Sequence, residues 1–393
     1  MTSKERVNTA FAHKEPDRVP VSELYINSPL ASVVLGRLAF TGWSGYIRCE
    51  VMSGMMMEGR AGEFYMREVV DLVELYDKLQ LDTVLIERPP AAKPVIPTAA
   101  GKHSWKHENK ESGIWSVIYY DPVTDMFHTA DSNFHRGGIE EFERYVELLE
   151  HETVDLDNWD WSQAQYIIDN CARDKFIMAV VEIDFPPMSM GALGGIFLES
   201  LAFRPELCER YLDYRVRKGL KFIDKYASMG VDCIFDGEDL AGNRGPLISP
   251  GKYSALYAPR FRELSARCHA HGMLYLRHTD GNIMLFADEF LLQSGFDGYQ
   301  SIDPSAGMDG ALIKKRYGDK ITLMGNVDCG AVLHLGTADD VVKATKQVIK
   351  DLSPGGGHIL SSSNTIHSHV PFENYSAMLE TARKHGGYPI KID

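Results

Sequence analysis

Eight short apolar runs punctuate this chain, and each ends in polar or charged residues. They cover Val19 to Ser22, Thr83 to Ile86, Phe176 to Val181, Cys233 to Phe235, Met273 to Leu276, Gly298 to Ile302, Ile321 to Met324 and His358 to Leu360. Apolar runs without polar alternation read as strands buried on both faces, and such strands belong to parallel sheets covered by helices. The residues that follow are Glu23, Glu87 with Arg88, Glu182 with Asp184, Asp236 with Glu238, His278 with Asp280, Asp303, Asn326 with Asp328, and Ser362 with Asn364. Eight polar strand ends separated by helical patterns predict an α/β fold, a (β/α)8 TIM barrel with its chemistry at the carboxyl face.

The connecting helices carry their own signals. Thr337 and the acidic first turn Asp339-Asp340 start one helix, Val341, Val342, Val348, Ile349 and Leu352 repeat at helical spacing, and Pro354-Gly355 stops it. Pro205 to Met229 and Ser254 to Ala270 have similar stripes, ending at Gly230 and Gly272. An N-terminal extension opens with Thr2 and Glu5 as a capping box ahead of Val7, Ala10 and Phe11.

The length of 393 residues exceeds a minimal barrel of roughly 250, which leaves room for insertions within one domain over residues 1–393. The expected insertion covers about residues 91–170. Within it, Trp115 to Tyr119 and the turn Pro122 to Asp125 predict a β-hairpin. The irregular region 27–62 carries Met52, Met55, Met56 and Met57, which serve either as ordinary packing or as an adaptable wall over the barrel mouth.

A net charge of −14 gives the chain no reason to seek nucleic acid or an anionic membrane surface. No apolar run approaches the ~20 residues of a membrane span, and residues 1–12 lack the apolar core of a signal peptide. The six cysteines form no CxxC pairs, so the expectation is reduced thiols in the cytoplasm without a disulfide framework. Homo-oligomerisation is left open.

The most reactive-looking strand end is Arg277-His278-Thr279-Asp280-Gly281. His278 and Asp280, two apart on an extended segment, point to the same side and offer an imidazole nitrogen and a carboxylate to a common point. That pair suits a metal ion or proton transfer. The simpler reading is a loop histidine bonded to a carbonyl and an aspartate that caps the next helix.

Ser3-Lys4-Glu5-Arg6-Val7, Glu15-Pro16-Asp17-Arg18-Val19-Pro20, Ile248-Ser249-Pro250, His278-x-Asp280-Gly281, Gly325-Asn326-Val327-Asp328, Pro354 to Leu360 and Pro371-Phe372-Glu373-Asn374 together resemble the uroporphyrinogen decarboxylase superfamily. The resemblance spans nearly the whole chain. It implies a (β/α)8 barrel and one of two chemistries: cofactor-free decarboxylation of porphyrinogens, or zinc-dependent methyl transfer to or from a corrinoid.

Two departures speak against the decarboxylases. The Arg-rich motif that clamps their substrate's carboxylates is absent from Ser22 to Ser28, and Asn364 stands where they carry a histidine. The coenzyme M branch has a His-x-Cys pattern where this chain has His278-x-Asp280, and its later cysteine falls near Asn364. The resemblance therefore implies a harder zinc site of His278 with Glu182 and Glu238, with Asp280, Asp236 and Cys329 as alternatives.

The expected reaction is methyl transfer from a small O-methylated compound, such as a methoxylated aromatic, to a corrinoid (cobalamin) or a corrinoid protein. His278, Asp280 and Asn364 are the expected catalytic group, and Tyr25, Met57, Phe185, Met188 and Tyr299 the expected substrate wall. The competing readings are a carboxy-lyase for a smaller acid, with Arg88 or Arg277 on the carboxylate, and a non-catalytic barrel that carries a corrinoid. The cobalamin-ligating Asp-x-His-x-x-Gly pattern is absent, which weighs against the latter.

Overall fold

The computed structural model describes residues 1–87, 94–181 and 191–392. In chain order the strands are β1 (Thr83–Ile86), β2 (Thr98–Gly101), β3 (Ser104–Asn109), β4 (Ile114–Asp121), β5 (Met126–Ser132), β6 (Phe176–Val180), β7 (Cys233–Gly237), β8 (Ala241–Gly242), β9 (Gly245–Pro246), β10 (Leu274–His278), β11 (Gly298–Gln300), β12 (Thr322–Val327) and β13 (His358–Ser362). Seven of them form one curled parallel sheet in the order β1-β6-β7-β10-β11-β12-β13.

The eighth apolar run closes the ring without forming a regular strand. Val21 pairs in parallel with Leu360 of β13. Leu360 N–H donates to Pro20 O at 2.8 Å, Ser22 N–H to Leu360 O at 2.9 Å, and on the other side Asp82 N–H donates to Val21 O at 2.8 Å. Pro20 has no N–H to give, so the segment 19–22 can make only this sparse pattern. The result is the (β/α)8 barrel that the strand pattern predicts.

Alternate residues along each strand face opposite sides, and the core divides accordingly. Leu85, Phe176, Met178, Cys233, Phe235, Leu276, Met324 and Ile359 fill the barrel interior. The amino-terminal helix Ser3–Phe11 closes the bottom of this cluster with Val7 and Ala10, and Phe11 stacks on Phe176 at 5.7 Å between centroids. Its capping box of Thr2 and Glu5 is formed as the sequence predicts. The opposite strand faces, with Ile177, Ile234, Tyr275, Tyr299 and Leu323 among them, pack in a larger cluster against the surrounding helices. Those include Pro205–Met229, with Gly230 in the left-handed conformation at its end, and Ala338–Leu352, with the Thr337/Asp340 capping box.

The region between β1 and β6 differs from the expected single hairpin. The hairpin is present as β4 and β5, but β3 and β2 extend it to a four-stranded antiparallel sheet, followed by helix Asn133–His151. β2 is exposed along its whole length, so no alternation of apolar residues marks it in the sequence.

Candidate active site

His278 is the last residue of β10. Leu276, two positions earlier, lies in the barrel interior, so His278 faces the same axis one step nearer the carboxyl rim. Its cross-strand partners are Gly237 and Gln300. A Cβ on Gly237 would stand 3.2 Å from both Cβ and Cδ2 of His278, so glycine leaves the ring its space. Gln300 Oε1 accepts from His278 Nδ1, which places the hydrogen on Nδ1 and leaves the Nε2 lone pair free.

That lone pair faces two carboxylates. Nε2 lies 3.7 Å from Asp239 Oδ1 and 3.7 Å from Asp280 Oδ1, too far for hydrogen bonds but with room for an ion between the three atoms. Asp280 N–H donates to Asp239 Oδ1 at 2.9 Å, and the Asn364 side-chain amide donates to Asp280 Oδ2. Asp280 Oδ1 is buried and has no hydrogen-bond partner. Gly281 follows with φ +82°, and a Cβ there would stand 2.5 Å from the Ala241 carbonyl. Glycine thus lets the turn after β10 press against the loop that carries Asp239.

Burial raises the pKa of Asp280, and the negative charges of Asp239 and Asp303 add to the rise, while His278 and the nearby Ser301 hydroxyl, which lies outside normal hydrogen-bond geometry, oppose it. An orphaned buried acceptor, a second carboxylate that repels it and a histidine nitrogen with a free lone pair are the surroundings that a divalent cation satisfies. Asp239, His278 and Asp280 are the group among the described residues whose potential ligand atoms all lie within 4.8 Å of one another.

Asn364, expected here, joins this group through Asp280. Glu182, Phe185 and Met188 lie outside the described residues. Glu238 does not belong to the converging group; its backbone carbonyl accepts from Arg277 at 2.7 Å, and its neighbour Asp239 supplies the carboxylate. Asp236 faces the outer layer, where it accepts from Tyr275 Oη at 2.9 Å and pairs with Arg277 at 3.2 Å. Cys329 is buried, its Sγ lies 2.9 Å from Thr365 O, and burial pushes its pKa up to about 12, so it remains a thiol.

Of the expected wall residues, Tyr25 packs half-buried at the mouth against the barrel interior cluster. Met57 ends a short helix, largely exposed. Tyr299 is fully buried on the outer side of β11, edge-on to Phe290 at 5.5 Å, and so faces away from the barrel axis.

Asp239 and Gln300 join the group beside the residues expected from the sequence. Both follow from counting by two: Phe235 faces the interior, hence 237 and 239 continue that face, and Gln300 pairs with His278 in register.

A large cavity of about 1210 Å³ lies beside the barrel, between β3 to β5 and the segment around residues 43–53. Trp43, Arg48, Met52, Trp105 and Phe127 line it, and His278 does not. Trp43 meets Tyr25 edge-on at 5.8 Å, which links the cavity wall to the barrel mouth. The grouped potential ligand atoms lie at His278, and the cavity is lined by other residues. Glu87, just after β1, is buried 3.6 Å from Arg48, and burial pushes its pKa up to about 8.

Three comparisons bear on these features. The family model for uroporphyrinogen decarboxylase (URO-D) matches residues 196–385, a stretch that includes Asp239, His278, Asp280, Gln300 and Asn364. A uroporphyrinogen decarboxylase from Thioalkalivibrio sulfidiphilus (strain HL-EbGR7) is 34% identical over 73 residues, 19% of this chain and 20% of that protein's length. The solved structure of a methyltransferase from Methanosarcina mazei superposes with a TM-score of 0.66 over 98% of this chain and 99% of that one, at 15% identity. That likeness concerns the fold. The family match over residues 196–385 covers just under half of the chain, and over that stretch the chain is similar to uroporphyrinogen decarboxylase.

Proposed function

We propose that this protein is a zinc-dependent methyltransferase, in which Asp239, His278 and Asp280 hold the metal and a small O-methylated compound, of the methoxylated aromatic class, gives its methyl group to a corrinoid or a corrinoid-carrying protein. The observation that carries this reading is the pair of carboxylate oxygens facing His278 Nε2 at 3.7 Å each, one of them buried and without a hydrogen-bond partner. Three protein ligands with an open fourth position is the arrangement of catalytic zinc.

An ether oxygen is a poor leaving group, and a bound zinc supplies Lewis acidity that stabilises it as the C–O bond breaks. The chain's own residues prepare that step. Gln300 holds His278 in the tautomer whose Nε2 is free, and Asn364 holds Asp280 with Oδ1 turned to the same point. Tyr25 and Trp43 give apolar surface at the mouth for an aromatic donor, next to a cavity wide enough to admit it. The chain then works as one barrel domain with an insertion over about residues 91–170, and its six free, buried cysteines suit a reducing cytoplasm.

The carboxy-lyase alternative needs a guanidinium turned to the substrate. Arg277 is turned instead to Asp236 and to the Phe261 ring, 5.1 Å away in the outer layer. Arg88, the other candidate, lies outside the described residues.

Incubation with Co(I) cobalamin and a panel of methoxylated arenes should yield methylcobalamin, seen in the visible spectrum, and chelation should stop it. Absence of methylcobalamin with every donor, together with carbon dioxide released from a porphyrinogen, would reverse the assignment to a decarboxylase.

A further inference from the structure

A second group of potential ligands lies outside the His278 site. His334 ends the turn Cys329–His334 that follows β12, and His367 and His369 belong to the loop that follows β13. Their ring centroids stand 5.0 Å apart for His334 and His367, 5.9 Å for His334 and His369, and 6.0 Å for His367 and His369. His334 and His367 are half-buried and His369 is exposed.

Three imidazoles crowded together have no structural advantage of their own, because protonated rings repel and neutral rings gain little from one another. Burial and the neighbouring His334 and His369 accordingly lower the pKa of His367. The neutral ring is the form that binds a metal ion. With Zn–N distances of about 2.0–2.1 Å and near-tetrahedral angles, imidazoles on one ion have centroids roughly 5–5.5 Å apart. The observed spacings lie within about 1 Å of that figure, close enough for side-chain rotation to turn the ring nitrogens inward. As the rings stand, the nitrogens do not converge as the ligand atoms at His278 do.

We propose that His334, His367 and His369 form a second metal site, for a divalent ion of the zinc or nickel type, with three imidazole ligands and a fourth position open to solvent. Imidazole sets of this kind favour Zn²⁺, Ni²⁺ and Cu²⁺ over Mg²⁺ and Ca²⁺. The ion ties the loop after β13 to the turn after β12. That loop also carries Asn364, three residues before His367, so the second site braces the residue that holds Asp280.

The test uses the full, tag-free chain and Zn²⁺ alone, with bound zinc counted by elemental analysis after dialysis and affinity read by calorimetry. His278→Ala, which removes the first site, should still bind one equivalent. His278→Ala with His367→Ala should bind none. The exposed His369→Ala, which leaves the core untouched, should weaken the remaining site at least tenfold in the His278→Ala background and keep the circular dichroism spectrum unchanged. No zinc on His278→Ala, or one equivalent retained after His367→Ala is added, would overturn the proposal.

Discussion

The side-chain amide of Asn364 donates to Oδ2 of Asp280 and so ties the loop after β13 to the end of β10, across 84 residues of sequence. The other oxygen, Oδ1, faces His278 Nε2 and has no hydrogen-bond partner. One oxygen is thus fixed by protein and the other is free for a ligand, a division of labour found behind metal-bound carboxylates.

Asn364→Ala should therefore weaken zinc binding rather than abolish it. The three ligands remain, but Asp280 loses the group that orients it, and outer partners of this kind are worth about 10–100-fold in metal affinity. Calorimetric titration with Zn²⁺ checks this. An affinity equal to that of the unaltered chain would remove Asn364 from the site.

Asp239 and Glu238 give a sharper contrast. Asp239→Ala should eliminate zinc at the His278 site and methyl transfer with it, whereas Glu238→Gln should keep both. Elemental analysis of the two variants, each in the His367→Ala background so that zinc at the His278 site alone is counted, decides the matter. Metal lost from Glu238→Gln and kept in Asp239→Ala would show that the converging carboxylates are not those seen here.

The contrast also explains what the sequence made legible. The barrel strands were readable because both faces are buried, so their apolar runs are continuous and their polar ends conspicuous. His278, Asp280 and Asn364 followed from such ends. Glu238 stands out in the sequence as a charged residue close after the strand, whereas the two-residue period anchored on Phe235 points to Asp239. Tyr299 failed for the same reason, since it pairs with Arg277 on the outer face while Gln300 pairs with His278. The extra strands β2 and β3 were missed because their side chains are mostly exposed or only half-buried, so little apolar alternation separates them from a loop.

Asp82 anchors the amino-terminal segment beneath the barrel, and its removal should be costly. The carboxylate is fully buried and accepts from Arg6 Nη1 at 2.7 Å, Arg18 Nη1 at 2.7 Å, Ser3 Oγ at 2.7 Å and Val21 N–H at 2.8 Å. Asp82→Ala leaves two guanidinium groups without their shared partner, a change that costs about 3–5 kcal/mol when buried pairs are broken. The urea midpoint should fall accordingly. A shift of less than about 1 kcal/mol would mean that the network behaves like a surface ion pair.

Glu23 makes stability depend on pH in an uncommon direction. Its carboxyl is fully buried, and burial, partly offset by bonds from Ser362, pushes its pKa from 4.5 to about 8. Ser362 Oγ lies 2.6 Å from Oε2 and also contacts the Asn364 carbonyl. With a proton on Oε2, Glu23 donates to Ser362, and the serine hydroxyl is free to donate to Asn364. Ionised, the carboxylate and the Asn364 carbonyl compete for one hydroxyl hydrogen. Between pH 4.5 and about 8 the folded chain therefore holds a proton that the unfolded chain has lost. This contribution to stability is complete below pH 4.5 and fades as pH rises through about 8. Glu23→Gln keeps the shape and the hydrogen bonds without the titration, so its melting temperature should decline less between pH 5 and pH 9 than that of the unaltered chain. A residual decline should persist in the variant, because Glu87 is also pushed up to about 8 and contributes in the same sense. Thermal melts at matched ionic strength make the comparison, and parallel pH profiles for the two proteins would show that Glu23 is ionised in the fold.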